Sequence, residues 1–136
     1  MGAYAIGANG ALTPVAGSPY STGNYPLGAA SDPDGKVLSV ANSLDGTIST
    51  FNIDARSGGL TEISGSPFSA GANWHGLSRC VFALRVDAGG RVLYDGDACN
   101  PAMPSFTIDS AGALSAPVVT ETDGASSTYL GFVQVP

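Results

Sequence analysis

Three segments of the chain share one pattern, and any fold has to honour that repetition. Tyr4-Ala5-Ile6-Gly7-Ala8-Asn9-Gly10-Ala11-Leu12 matches Phe51-Asn52-Ile53-Asp54 leading to Gly58-Gly59-Leu60, and both match Phe106-Thr107-Ile108-Asp109-Ser110-Ala111-Gly112-Ala113-Leu114. Each reads as strand, turn, strand. Gly17-Ser18-Pro19-Tyr20-Ser21 returns as Gly65-Ser66-Pro67-Phe68-Ser69, an offset of 48. Asp32-Pro33-Asp34-Gly35-Lys36-Val37-Leu38 returns as Asp87-Ala88-Gly89-Gly90-Arg91-Val92-Leu93, an offset of 55. The second copy therefore holds about seven extra residues, expected around Ser78 to Leu84.

A period in the high forties, carrying about four short β-rich runs separated by Gly, Asp, Asn and Pro, is the pattern of β-propeller blades. Composition agrees: 19 Gly and 9 Pro among 136 residues, with only 12% charged, suit short strands and turns rather than long helices. With the strands of a blade lettered A to D from centre to rim, the chain opens with C near Tyr4 to Ile6 and D near Leu12 to Ala16. A whole blade follows: A near Leu27 to Ser31, B near Val37 to Ala41, C near Gly46 to Ile53, D near Leu60 to Ser64. A second uses Cys80 to Val86, Arg91 to Tyr94, Met103 to Ile108 and Ala113 to Val119, and a last A strand is expected near Leu130 to Val135.

Charge excludes several classes of partner. Five Lys+Arg against 11 Asp+Glu give a net charge of -6, so nothing draws the chain to nucleic acid or to an anionic membrane surface. A hydrophobic fraction of 43% excludes a disordered polymer. No run of 18 apolar residues occurs, and Met1-Gly2-Ala3-Tyr4 lacks a basic stretch followed by an apolar one; a soluble protein without a signal peptide in this chain is the expectation. Cys80 and Cys99 are enough for one disulfide but lack the spacing of a metal knuckle.

These residues resemble a known family, the seven-bladed propeller lactonases typified by propeller 6-phosphogluconolactonase. The resemblance rests on the phrase F-x-I-D-x-x-x-G-x-L-T-x-x-x-G-S-P-F (Phe51 to Phe68), on G-x-x-P-x-G (Gly23 to Gly28), on D-P-D-G-K-x-L (Asp32 to Leu38) and on V-A-N (Val40 to Asn42). It implies an all-β partial propeller, residues 1-136 forming one domain with repeats near 4-50, 51-105 and 106-136. Where a full member has seven blades, this chain supplies about 11 strands, near three blades. Open blade flanks pair with other chains, so a homo-oligomer is expected, and two chains closing a six-bladed ring is the favoured form. A small β sandwich or roll is the competing architecture.

In a propeller the D–A and B–C loops share one face, which would carry Asn24, Tyr25, Asn42, Ser43, Asp45, Trp74, His75, Asp97 and Asn100. The A–B and C–D turns share the other, where Asp32, Asp34, Asp54, Asp87 and Asp109 read as turn formers. His75 is the one histidine and lies in Asn73-Trp74-His75-Gly76, where the family often has N-P-H-G at the channel mouth. The resemblance implies a channel histidine, arginines and a carboxylate acting on substrate. Imidazole titrates near neutrality and takes a proton from water, and a carboxylate such as Asp97, which aligns with Asn42, orients it. Arg79, Arg85 or Arg91 would clamp an anionic oxygen, Arg79 being placed with His75 and Asp97 in the catalytic set. Trp74, Tyr25, Asn42 and Asp45 form the expected small-molecule surface. No cofactor is indicated beyond, at most, a single divalent metal held by Asp97 with Asn42 or Asp45. Each candidate has a plainer account: His75 as a loop cap, Asp95-Gly96-Asp97 as a solvated turn, Trp74 and Tyr25 as plugs between blades. A hydrolase of lactone-like or ester-like molecules ranks first, ahead of a non-catalytic binding module and an inert self-assembling fragment.

Overall fold

The structure, a computed structural model, describes residues 1–71, 81–97 and 102–121. Eleven strands are formed among them: β1 (Tyr4–Ile6), β2 (Leu12–Pro14), β3 (Pro26–Ser31), β4 (Val37–Asn42), β5 (Thr47–Ile53), β6 (Leu60–Glu62), β7 (Phe68–Ser69), β8 (Val81–Val86), β9 (Val92–Asp97), β10 (Ala102–Thr107) and β11 (Val118–Glu121). Every pairing is antiparallel and follows chain order: β1 with β2, then β3-β4-β5-β6 with β7 also on β5, then β8-β9-β10-β11. No described strand crosses from one sheet to another. Three consecutive meanders of this kind are propeller blades, not the interleaved strands of a sandwich.

The 55-residue offset of the sequence is reproduced as strand register. Ser31 faces Leu38 as Val86 faces Leu93, Ala29 faces Val40 as Leu84 faces Asp95, and Pro26 faces Asn42 as Val81 faces Asp97. Both ladders also carry an irregularity at the same place, between Pro26 and Ala29 and between Val81 and Ala83. The inner strand of the second blade thus begins at Val81, and the additional residues lie upstream, between Ser69 and Val81, rather than around Ser78 to Leu84. The counterpart of Leu27 in the second blade is accordingly Phe82. The rim strand is also split: Leu114 makes a single bridge to Ile108, and pairing resumes only at Val118.

The A–B turns are built by one carboxylate each, as the sequence indicates. Asp32 Oδ1 accepts from the backbone N–H of Lys36 at 2.7 Å and Val37 at 2.8 Å, and Asp87 Oδ1 accepts from Arg91 at 2.7 Å and Val92 at 2.8 Å. Burial opposes the charge on Asp87, but the N–H groups of Val92, Arg91 and Gly89 outweigh it and hold the carboxyl below the usual aspartate range. In the C–D turns Asp54 Oδ1 accepts from Ser57 N–H at 2.7 Å, and Asp109 Oδ1 from Ala111 and Ala113 at 2.8 and 2.9 Å.

The main apolar core lies between the two four-stranded blades. Ala41 and Ile48 of the first meet Leu84, Leu93, Phe106 and Leu114 of the second, all buried, with Phe68, Val86 and Ile108 packed around them. At the centre β3 and β4 run beside β8, so inner strand faces inner strand. Blade contact also fixes a residue type. Gly112 has φ +84°, and a Cβ there would stand 2.5 Å from Ile63 Cδ1 and 3.0 Å from Val37 Cγ2. Glycine is thus required both by the left-handed backbone and by the approach of the neighbouring blade. On the outer side, the β1–β2 hairpin leaves Tyr4, Ile6 and Leu12 exposed, at 55%, 77% and 63%. No helix among the described residues is long and apolar enough to cross a membrane.

Candidate functional site

On the loop face of the first blade, the D–A and B–C loops are tied into one knot. Asn42, at the end of β4, is fully buried; its Oδ1 accepts from Gly23 N–H at 3.0 Å, and its Nδ2 donates to Thr47 Oγ1 at 3.1 Å and Ser49 Oγ at 2.9 Å. Asp45 holds the next residue with both oxygens: Oδ2 accepts from Asn24 N–H at 2.6 Å and Oδ1 from Asn24 Nδ2 at 2.9 Å. Those two bonds, the backbone one first, keep the Asp45 carboxyl below its ordinary range. Gly23 fits because it has no side chain: a Cβ would lie 2.5 Å from Asp45 Oδ2 and 2.7 Å from Asn42 Cγ.

The knot forces Tyr25 into the left-handed region, at φ 55°, where Tyr25 C=O accepts from Ser43 N–H at 3.1 Å. Its ring is 59% exposed, and Leu27, two residues on, is 45% exposed. An outlying backbone conformation held by surrounding bonds is a feature concentrated at binding surfaces. Two grooves flank the knot. One of about 250 Å³ is lined by Ser21, Thr22, Gly23, Ser49, Glu62 and Pro67; the other, of about 220 Å³, has an apolar wall of Met1, Pro26, Leu27, Gly28, Ala29 and Val40. Of the expected small-molecule surface, then, Tyr25 faces outward, whereas the amide of Asn42 is engaged inside the fold and Asp45 braces Asn24.

In the second blade Asp97 is the last residue of β9, directly across the ladder from Val81. Trp74, His75, Arg79, Cys80, Cys99 and Asn100 lie outside the described residues, as does the expected strand near Leu130 to Val135. The expectation of a solvated Asp95-Gly96-Asp97 turn is overturned. These residues belong to β9, and Asp95 is only 2% exposed. Its carboxylate occupies the position held by Val40 in the first blade, which is also 2% exposed. The signal was available in the sequence, since the 55-residue offset sets Asp95 against Val40. Among the described residues no three His, Cys, Asp or Glu side chains converge on a point that could hold a metal.

The described basic residues stand on the turn face, together with the turn aspartates Asp32, Asp34, Asp54, Asp87 and Asp109. Lys36, Arg56 and Arg91 all belong to A–B or C–D turns, Lys36 pairing with Asp34 at 2.9 Å, and Arg85 is the residue before last of β8, beside the same face. On the loop face Asp45 follows the end of β4 and Asp97 ends β9, whereas Glu62 faces Phe51 toward the turn-face end of β5.

Comparison with known proteins agrees with this geometry. Residues 1–75 match the family model for the lactonase seven-bladed β-propeller. Among solved structures, a periplasmic gluconolactonase from Pseudomonas aeruginosa superposes with TM-score 0.71 at 22% identity, over 99% of this chain and 37% of that one. A Lactobacillus plantarum protein gives TM-score 0.72 at 19% identity, over 89% of this chain and 35% of its own. A putative 6-phosphogluconolactonase from Bacteroides fragilis gives 0.68 at 21%, over 92% and 33%. No curated protein matches the chain. The chain spans about a third of the length of these structures, and its three meanders superpose on a section of their rings. Repeat, register and family match converge: the chain belongs to the seven-bladed β-propeller lactonase family.

Proposed function

We propose that the chain forms part of a hydrolase of lactone-like or ester-like small molecules, with its pocket on the loop face. Family membership carries this reading, and the gluconolactonase among its structural neighbours supports it. His75 is the general base: its imidazole takes a proton from water as the water oxygen adds to the lactone carbonyl carbon. Arg79 stabilises the oxyanion that forms, and Asp97 orients the imidazole. Collapse of the tetrahedral adduct breaks the ring C–O bond, and the proton held by His75 passes to the departing alkoxide, giving the hydroxy acid. Trp74 and Tyr25 flank the substrate, with Asn42 and Asp45 holding the loop from which Tyr25 projects.

The pocket is completed by association, two chains closing a six-bladed ring. The exposed Tyr4, Ile6 and Leu12 of the hairpin support such a contact. The second reading is a binding module without turnover, favoured by the engagement of Asn42 and Asp45 within the fold. Proton release from a panel of sugar lactones and activated esters separates the two. His75→Ala is expected to abolish turnover with the unfolding transition intact; unchanged turnover removes His75 from the site.

A further inference from the structure

From the unspent hydrogen-bonding groups along the groove beside Gly23, we infer a binding site for a neutral polyol, a ligand that presents adjacent hydroxyl groups on one ring. The inference does not rest on the hydrolase reading. The groove, of about 250 Å³, is lined by Ser21, Thr22 and Gly23 on one side and by Ser49, Glu62 and Pro67 on the other. Ser49 and Phe51 stand two apart on β5 and Glu62 faces Phe51, so the strand period turns Ser49 and Glu62 to the same side of the blade. Ser49 is 1% exposed; its Oγ already accepts from Asn42 Nδ2 at 2.9 Å, and it donates to no described residue. Its hydroxyl hydrogen is therefore left for the groove, and a buried donor gains from any acceptor brought to it. Glu62 is braced on one oxygen: Oε1 accepts from Ser66 Oγ at 3.0 Å, which leaves Oε2 to accept from a ligand.

The two walls are held in place by one buried amide. Asn42 binds Gly23 N–H through Oδ1 at 3.0 Å and Ser49 through Nδ2, so the groove needs no rearrangement to receive a ligand. Its chemistry selects among ligand classes. An anion meets the Glu62 carboxylate, and a cation cannot accept from Ser49. An apolar ligand takes the Ser49 hydroxyl and the Glu62 carboxylate out of water with nothing in exchange. An alcohol satisfies both, donating to Glu62 Oε2 and accepting from Ser49, and its neighbouring hydroxyls meet Ser21 and Thr22, each able to donate or accept. The carbon face of such a ring has Pro67 to lie against. The volume is below the roughly 300–1,000 Å³ of sites for drug-sized ligands, which fits a single ring rather than a chain.

The test is NMR titration of the whole chain with myo-inositol and with methyl glucopyranoside, read by saturation transfer and by backbone amide shifts, with ethanolamine and acetate as charged controls. Expected is a dissociation constant in the millimolar range, as for a ligand of about a dozen heavy atoms, with the largest shifts at Ser21, Thr22, Gly23, Ser49 and Glu62. Glu62→Ala removes the open carboxylate and is expected to weaken binding by about tenfold or more, the worth of a hydrogen bond to a charged group. Thr22→Val keeps the shape without the hydroxyl and is expected to weaken it several-fold. Binding of myo-inositol alone assigns the site to free cyclic polyols and binding of the glucoside alone to glycosides; either upholds the inference. Tighter binding of ethanolamine or acetate overturns it. So do largest shifts outside the groove, unchanged affinity in both variants, or no binding of either polyol at ~0.1 M.

Discussion

Gly112→Ala isolates the energy of one blade-to-blade contact. Two penalties act at this position. A side chain at φ +84° costs about 1–2 kcal/mol relative to glycine. The new methyl also meets Ile63 Cδ1 at 2.5 Å and Val37 Cγ2 at 3.0 Å, both across the blade boundary. Something must shift, and overpacking of this kind costs typically ~1–3 kcal/mol. Gly35→Ala carries the first penalty alone, because Gly35 has φ +67° and nothing within 4 Å of its Cβ position. Urea unfolding of both variants is expected to give a loss for Gly112→Ala larger by about 1–3 kcal/mol, which for a domain of this size is a further drop in Tm of several degrees. Ile63→Val removes the clashing methyl. In the Gly112→Ala background it is expected to cost less than it does alone, an interaction that a double-mutant cycle measures directly. Equal losses for Gly112→Ala and Gly35→Ala, or strict additivity with Ile63→Val, would refute close packing of Ile63 on the second blade.

Asn42→Ala strips bonds from Gly23 N–H, Thr47 and Ser49 in a buried setting and is expected to cost about 2–4 kcal/mol in urea unfolding, beyond the range of ordinary surface substitutions. Asp87 has its carboxyl held below the ordinary value, so it contributes stability above the unfolded value of about 4 and loses it as pH falls through the folded value. Asp87→Asn should therefore be less stable than the parent at pH 7, the difference shrinking below about pH 4; a constant difference counts against the Asp87 turn as its source. Asp95 is buried and engaged with a neighbour, so Asp95→Val leaves that partner unsatisfied and is expected to lower stability by about 1–3 kcal/mol in urea unfolding despite placing the first blade's valine at the equivalent position. Unchanged or raised stability would show that the carboxylate contributes nothing to the fold. Light scattering after size exclusion is expected to give twice 13.5 kDa, and a folded species at 13.5 kDa rules out the two-chain ring.

What was legible in the sequence was what repeats. Phe51-Asn52-Ile53-Asp54 and Phe106-Thr107-Ile108-Asp109 both alternate with the strand period and end in an aspartate that closes its own turn, so pattern and local chemistry select the same element. The position of the extra residues was not legible from the offsets alone. The two offsets, 48 at Gly65-Ser66-Pro67 and 55 at Asp87, bracket an interval that includes Ser78 to Leu84 as well as everything upstream. The β8 ladder decides it: Val81 facing Asp97 copies Pro26 facing Asn42, so the additional residues fall before Val81 in the sequence.

Asp95 illustrates the opposite case, a residue hidden by its neighbours. Asp-Gly-Asp has the composition of a turn, and intrinsic preference placed it there. The ladder overrides that preference. β8 supplies partners as far as Val81, so β9 runs on to Asp97, and the strand period then turns Asp95 to the side of Leu93, which is fully buried between blades. A chain that keeps a carboxylate where its own repeat keeps valine gives up apolar contact at the blade boundary. The first blade spends its polar groups at this level on Asn42 and Asp45, which lock a short loop shut. The second has aspartates at 95 and 97 instead, on the strand paired with β8. The departure from repetition is therefore concentrated at one corner of the loop face, and there the two blades differ in chemistry rather than in fold.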